Sequence, residues 1–293
     1  MPSLSPGYRL LTGTLAVSVL LSGRSPASRG TDANGIVCTV TNITEIETPD
    51  GTKHFDTSVT NQQFAGENGR SMFVRLPSIL AGNRDSLSRA LGFWPELYTL
   101  LKRGRSTVTV VDTMRKQYFD VDQSVMVQNM ARPLIRLEMH AGDTVFAVRV
   151  QPDTIIDGLH AQHWRLTDNH SASAAALTSY SLSMHSVSDE YIALDATGPG
   201  SGFPSEELRG AALDSTYANA RRAAIATLPP GLKVLAITRT VSAFGQGLRQ
   251  VTQTRTDRMS GIQHTDLPTA VFAIPAGYTR VAAPTLPALQ GPR

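Results

Sequence analysis

Cysteine, aromatic residues and charge are all scarce in this chain. The one cysteine in 293 residues cannot close an internal disulfide, so stability has to come from packing. Charged residues reach only 17% and aromatics 6%, while Thr, Ser, Gln, Val and Ala are frequent. That balance belongs to exported β-rich proteins rather than to charged helical ones. No His-Glu-x-x-His, no cysteine cluster, no Gly-x-Ser-x-Gly and no Gly-Lys-Ser/Thr occurs, so zinc protease, elbow-type hydrolase and phosphate-loop chemistry have no motif to rest on. Formal charge is also small. Lys and Arg number 27 against 24 acids, and without Arg9 and Arg24 at the N-terminus the balance falls from +3 to +1, which gives nucleic-acid binding no support.

What is present is a secretory pattern followed by strand after strand. Residues 1–27 carry Arg9, an uncharged apolar run from Leu10 to Leu21, and small residues at Ser25 and Ala27, the anatomy of a signal peptide. The run is short for a membrane span, and an uncleaved anchor is the competing reading. Arg24 stands where a lipidated cysteine would have to be, so the expectation is a soluble exported protein with no stable span once the signal is removed.

Alternation sets the next elements. Ile36, Cys38 and Val40 share one face of a strand over 36–47, which makes Cys38 a small buried hydrophobe rather than a reactive thiol. Pro49-Asp50-Gly51 has the residues a turn requires and leads into a second strand over 53–64, with a third over 71–76. Pro95 and Glu96 ahead of Leu97-Tyr98-Thr99-Leu100-Leu101-Lys102-Arg103 read as a helix closed by Gly104. Further strands are expected at 106–111 and 118–121, 134–139, 144–150, 159–167, and as a pair at 177–187 and 190–196.

A long helix should then run over 205–228, with Ser205 as cap and Pro229-Pro230-Gly231 as stop. Leu208, Leu213, Tyr217, Ala220, Ala224 and Leu228 line one face. Strands over 232–241 and 247–259 follow, the second polar on both faces around Val251 to Arg255, as an edge or the flank of a wet cleft would be. Phe272 and Ile274 predict a last short strand over 270–274, stopped by Pro275. The Pro-rich tail 282–293 has no pattern and is expected to be disordered. His160 and His163 lie three apart on a strand, hence on opposite faces, and do not clasp one metal ion.

The closing segment Phe272-Ala273-Ile274-Pro275-Ala276-Gly277-Tyr278 resembles the end of a bacterial envelope family of unknown function, itself similar to LolA-type carriers of lipoproteins. The hairpin Asp112-Thr113-Met114-Arg115-Lys116-Gln117-Tyr118 resembles the same family. That resemblance implies an α+β fold, a curved antiparallel β-sheet forming a LolA-like half-barrel wrapped around the long helix, as one domain over 35–281. It further implies a periplasmic or secreted protein with a lipid, a lipoprotein or another envelope protein as partner, and neither enzymatic activity nor cofactor. Phe119, Phe146, Trp164 and Phe272 on the sheet, with Leu213 and Tyr217 on the helix, are the candidate apolar lining. The same aromatics filling a solid core is the alternative, with the polar strand at 251–255 docking a protein partner.

Overall fold

A computed structural model describes residues 34–75, 96–102, 107–122, 136–138, 144–173, 181–194, 215–244 and 249–283. The expected signal at 1–27 and the tail at 284–293 lie outside the described residues. The strands are β1 (Asn34–Glu47), β2 (Lys53–Ala65), β3 (Asn68–Arg75), β4 (Leu97–Lys102), β5 (Thr107–Asp112), β6 (Gln117–Asp122), β7 (Arg136–Glu138) and β8 (Thr144–Ile156). They continue as β9 (Leu159–Ser173), β10 (Ser181–Ala193), β11 (Leu232–Phe244), β12 (Arg249–Asp266) and β13 (Thr279–Arg280). One helix, α1 (Ser215–Ala226), is present among the described residues.

All thirteen strands join in one sheet, in the order β13-β6-β5-β4-β3-β2-β1-β12-β11-β10-β9-β7, with β8 also on β9. Two antiparallel meanders are therefore fused where β1 meets β12, and among the described residues only β13 on β6 is parallel. The first turn forms as the residues dictate. Gly51 takes φ +80, and hydrogen bonds from the Thr48 hydroxyl and then the Thr52 amide bring the Asp50 carboxyl down to about 2.

Register tells which side chains share a face. A ladder of directly opposed residues runs Phe119, Val110, Thr99, Ser71, Gln62, Cys38 from β6 to β1. On β1 the same face continues four residues on to Asn42, from which a second ladder runs Asp257, Ala236, Glu190, Trp164, Arg149 out to β8. This is the inner face. Ile36, Cys38, Val40, Phe64, Val234 and Met259 form its main apolar cluster at 1–5% exposure, and Leu97, Val110 and Phe119 form a second one beside Val121 and Val281.

Cys38 thus packs as its alternation predicts, and burial pushes its thiol up to about 12. Native protein is expected to resist iodoacetamide at pH 8 and to react at one site once unfolded in guanidinium. Modification of the native state, followed by mass, would overturn this.

Four sequence expectations change. The helix read at 96–103 is strand β4, because Leu97 and Tyr98 are buried on opposite faces at 2% and 4% exposure between β3 and β5. Sheet pairing on both sides outweighs end signals that were right for a free helix. The strand pair at 177–196 is the single strand β10, since Ser188 bonds Thr238 and Asp189 bonds Arg165 across the strands instead of turning. The strand at 251–256 is no edge. It lies within β12, paired with β1 on one side and β11 on the other. Finally, 270–274 is no strand: Thr269–Phe272 is a 3-10 turn, and the chain closes the sheet later, at β13.

The long helix wrapped by the sheet is likewise not what is described. Helix α1 has 12 residues, and 205–214 lies outside the described residues. It packs mainly on β8 and touches β7 and β9.

The C-terminal segment is a strap. A Cβ on Gly35 would stand 2.5 Å from Leu267 Cδ1, so the strap leaves β12 on the face opposite Ile36 and Cys38. Its 3-10 turn contacts β3, Gly277 turns at φ +82, and the Thr279 and Val281 amides donate to the Lys116 and Tyr118 carbonyls at 3.0 and 2.9 Å.

Candidate functional site

The inner face changes character along the strands. Near one end it is Ile36, Cys38 and Val40 on β1; two residues on, Asn42 and Thr44 begin a polar band. Asn42 Nδ2 donates to Asp257 Oδ1, and Arg255 donates to both Asp257 oxygens from Nε and Nη2 at 3.0–3.1 Å. The pair is buried, at 8% and 6% exposure. Lys233 Nζ stands 2.9 Å from Glu190 Oε2, both 7% exposed, and Arg221 of α1 donates to Asp168 Oδ2 at 2.5 Å. Hydroxyls fill the spaces between, with Ser188 against Thr238 at 2.9 Å and Ser186 against Thr240 at 3.1 Å.

Each of these three cations faces a carboxylate, so the band is polar without a net charge. Inside a protein such pairs hold best where both partners are hydrogen-bonded; Arg255 and Asp257 are, whereas Glu190 Oε2 faces the Lys233 ammonium without a hydrogen-bond partner of its own. Gln62, fully buried in the same face, donates to Thr60 at 3.4 Å, and its Oε1 has no hydrogen-bond partner. Among the described residues no group of three or more metal-ligating side chains gathers.

The candidate lining residues are only partly brought together. Phe119 and Trp164 share the inner face, one in each meander, with the Trp164 indole donating to Gln162 Oε1 at 3.2 Å. Phe146 does not join them. It opposes Thr167, three residues from Trp164, and therefore stands on the outer face at 46% exposure. Phe272 is in the strap on that outer side, Tyr217 is on α1, and Leu213 lies outside the described residues. Sequence reading missed the polar band. Its legible trace was Arg255-Thr256-Asp257, two opposite charges at the one spacing that puts both on one face of a strand.

On the outer face His163 and Arg165 both bond Asp189, at 2.8 and 2.9 Å, with the His163 ring stacked 4.5 Å from Tyr191. His160 is on the other face, as the strand spacing predicts. Burial pulls the Asp189 carboxyl upward, but the hydrogen bonds and charges of Arg165 and His163 outweigh it and bring it below its ordinary value. A lowered carboxyl contributes stability that is present above the unfolded value and lost as pH falls through the folded one. The wild type should therefore lose its margin over Asp189→Asn on acidification below about pH 4, with a margin of about 1 kcal/mol or less at neutral pH for a pair this exposed. Urea midpoints of both proteins across pH 3–7 check it, and a constant margin would refute it.

No family model matches the sequence, and no curated protein matches it. Solved structures similar to this chain include the following two. One is a DUF1329 family protein from Desulfovibrio piger, 8% identical with a TM-score of 0.26, the match covering 93% of this chain and 98% of that one. The other is a LolA superfamily protein from Nitrosomonas europaea, 10% identical with a TM-score of 0.25, covering 81% and 90%. With TM-scores this low, neither likeness bears on what the chain binds. The first is described as belonging to a family of unknown function and the second to the LolA superfamily.

Proposed function

We propose that the protein is a non-enzymatic binding protein of the cell envelope, periplasmic or secreted, that holds an acyl chain, a lipid or another ligand with an apolar body. A lipid or a lipoprotein is its partner. The observation that carries this reading is the change of the inner face from Ile36, Cys38 and Val40 to Asn42 and Thr44 within one strand. Such a face suits an amphiphile. A hydrocarbon chain would lie along the rows of Met259, Phe64 and Leu97, and its polar end would meet the hydroxyls and matched ion pairs beside them. Because those pairs are already balanced, an uncharged or zwitterionic end fits better than a strongly charged one.

One observation favours a second reading, an interaction or structural module with a filled core. Ile36, Val110 and Phe119 are 1–6% exposed, so entry of a chain requires part of the cover to move. The test is mass spectrometry of the organic extract from protein purified without detergent out of the envelope fraction, beside a signal-less control refolded from denaturant. A stoichiometric acyl species in the first and not in the second supports the carrier. Its absence, with no uptake of an apolar fluorescent probe, overturns it in favour of the filled core.

A further inference from the structure

The outer face holds an open cleft of about 470 Å³ beside the bulge where β1 and β12 shift register. Nine residues line it and none is acidic. Its one cation is Arg70 on β3, whose guanidinium lies 4.1 Å over the ring of Tyr98, itself only 4% exposed. The cation–π contact fixes the guanidinium over the ring and leaves N–H groups able to donate. Among the described residues no carboxylate bonds them. Asn61 and Gln63 stand on neighbouring β2, Gln63 directly opposite Arg70, and the Gln263 amide closes the far side of the cleft on β12, with Val37 and Met72 as the apolar part of the lining. The Asn61 amide has a fixed orientation, because its Oδ1 accepts from the Thr39 hydroxyl at 3.1 Å and its Nδ2 is thereby the donor left over.

We propose that this cleft binds a small organic carboxylate whose body carries both an amide or hydroxyl and an apolar group. A planar carboxylate matches the guanidinium fork with two parallel hydrogen bonds. A single cation without a second nearby suits one negative charge better than the two of a phosphate. The amides supply bonds to the body of the ligand, and Val37 and Met72 take its hydrocarbon part. Of the inner-face residues named above the cleft shares only Cys38, at the bulge, and Phe119 and Trp164 have no part in it.

The probe is N-acetyl-leucine, with N-acetyl-leucinamide and inorganic phosphate as controls, added to the full exported chain and followed by the arginine Nε–H resonances in NMR. One arginine resonance, absent in Arg70→Lys, is expected to shift saturably with N-acetyl-leucine and not with the uncharged amide. Affinity should fall by about tenfold or more in Arg70→Lys, which keeps the charge and loses the fork. Gln263→Leu, at an exposed position that does not threaten folding, should weaken binding several-fold. A shift that never saturates, equal response to the amide, or unchanged affinity in Arg70→Lys would overturn the site. Tighter binding of phosphate would overturn the carboxylate assignment. Loss of acyl species from the envelope extract leaves all of these outcomes untouched, so the two proposals fail separately.

Discussion

Arg255→Leu is expected to cost about 3–5 kcal/mol of folding stability. The reason is what stays behind. Asp257 is 5% exposed, and without the guanidinium its carboxylate keeps only the Asn42 amide among the contacts described above. Replacing both partners behaves differently, because two apolar side chains carry no charge into the sheet. Arg255→Leu with Asp257→Leu should therefore recover most of the loss, and the coupling energy of the double-mutant cycle should be several kcal/mol. Urea unfolding of the four proteins measures it. Additive costs would mean that the two groups do not act as a pair.

Phe119→Ala is expected to cost about 3–5 kcal/mol, against about 0.5 kcal/mol or less for Phe146→Ala. Both were candidates for lining one cavity. Phe119 is packed against Leu97 and Val110, with Val281 beside it at the sheet edge just past β13, whereas Phe146 is half exposed on the other side of the sheet. The Phe119 value also bears on function. If an extracted acyl chain is found, the cost should shrink on removing it, because the side chain then borders the ligand's space in the empty protein. A cost independent of ligand content makes Phe119 a core residue.

Much of the sheet was legible because alternation was intact. Ile36, Cys38 and Val40 bury as their spacing requires, and Pro49-Asp50-Gly51 turns as its chemistry requires. Several of the failures had a common cause, since they depended on pairing partners outside the stretch being read. Glu96 and Lys102 flank a segment that would suit a helix, until β3 and β5 offer it ladders on both sides. Val251 to Arg255 looked too polar for the middle of a sheet, because nothing in that stretch says that Asn42 waits opposite Asp257. The aromatics were chosen for size, and size does not say which face of a strand a residue is on. Only register does, and it put Phe146 and Trp164 on opposite sides.

The seam between β1 and β12 has a consequence for how the chain is made. Asn42 and Asp257 are 215 positions apart, yet they are direct neighbours across the strands that join the two meanders. A ribosome adding about 5–20 residues per second needs roughly ten to forty seconds to deliver the second after the first. Through that interval the first meander has a β1 edge with unpaired amides and carbonyls, an invitation to any passing strand. Cooperative closure of the sheet must wait for β12, and loop closure over such a distance is slow. A polypeptide whose sheet cannot close until β12 arrives is one that a chaperone can hold open, and a narrow translocation channel can accept, throughout the interval between the two strands.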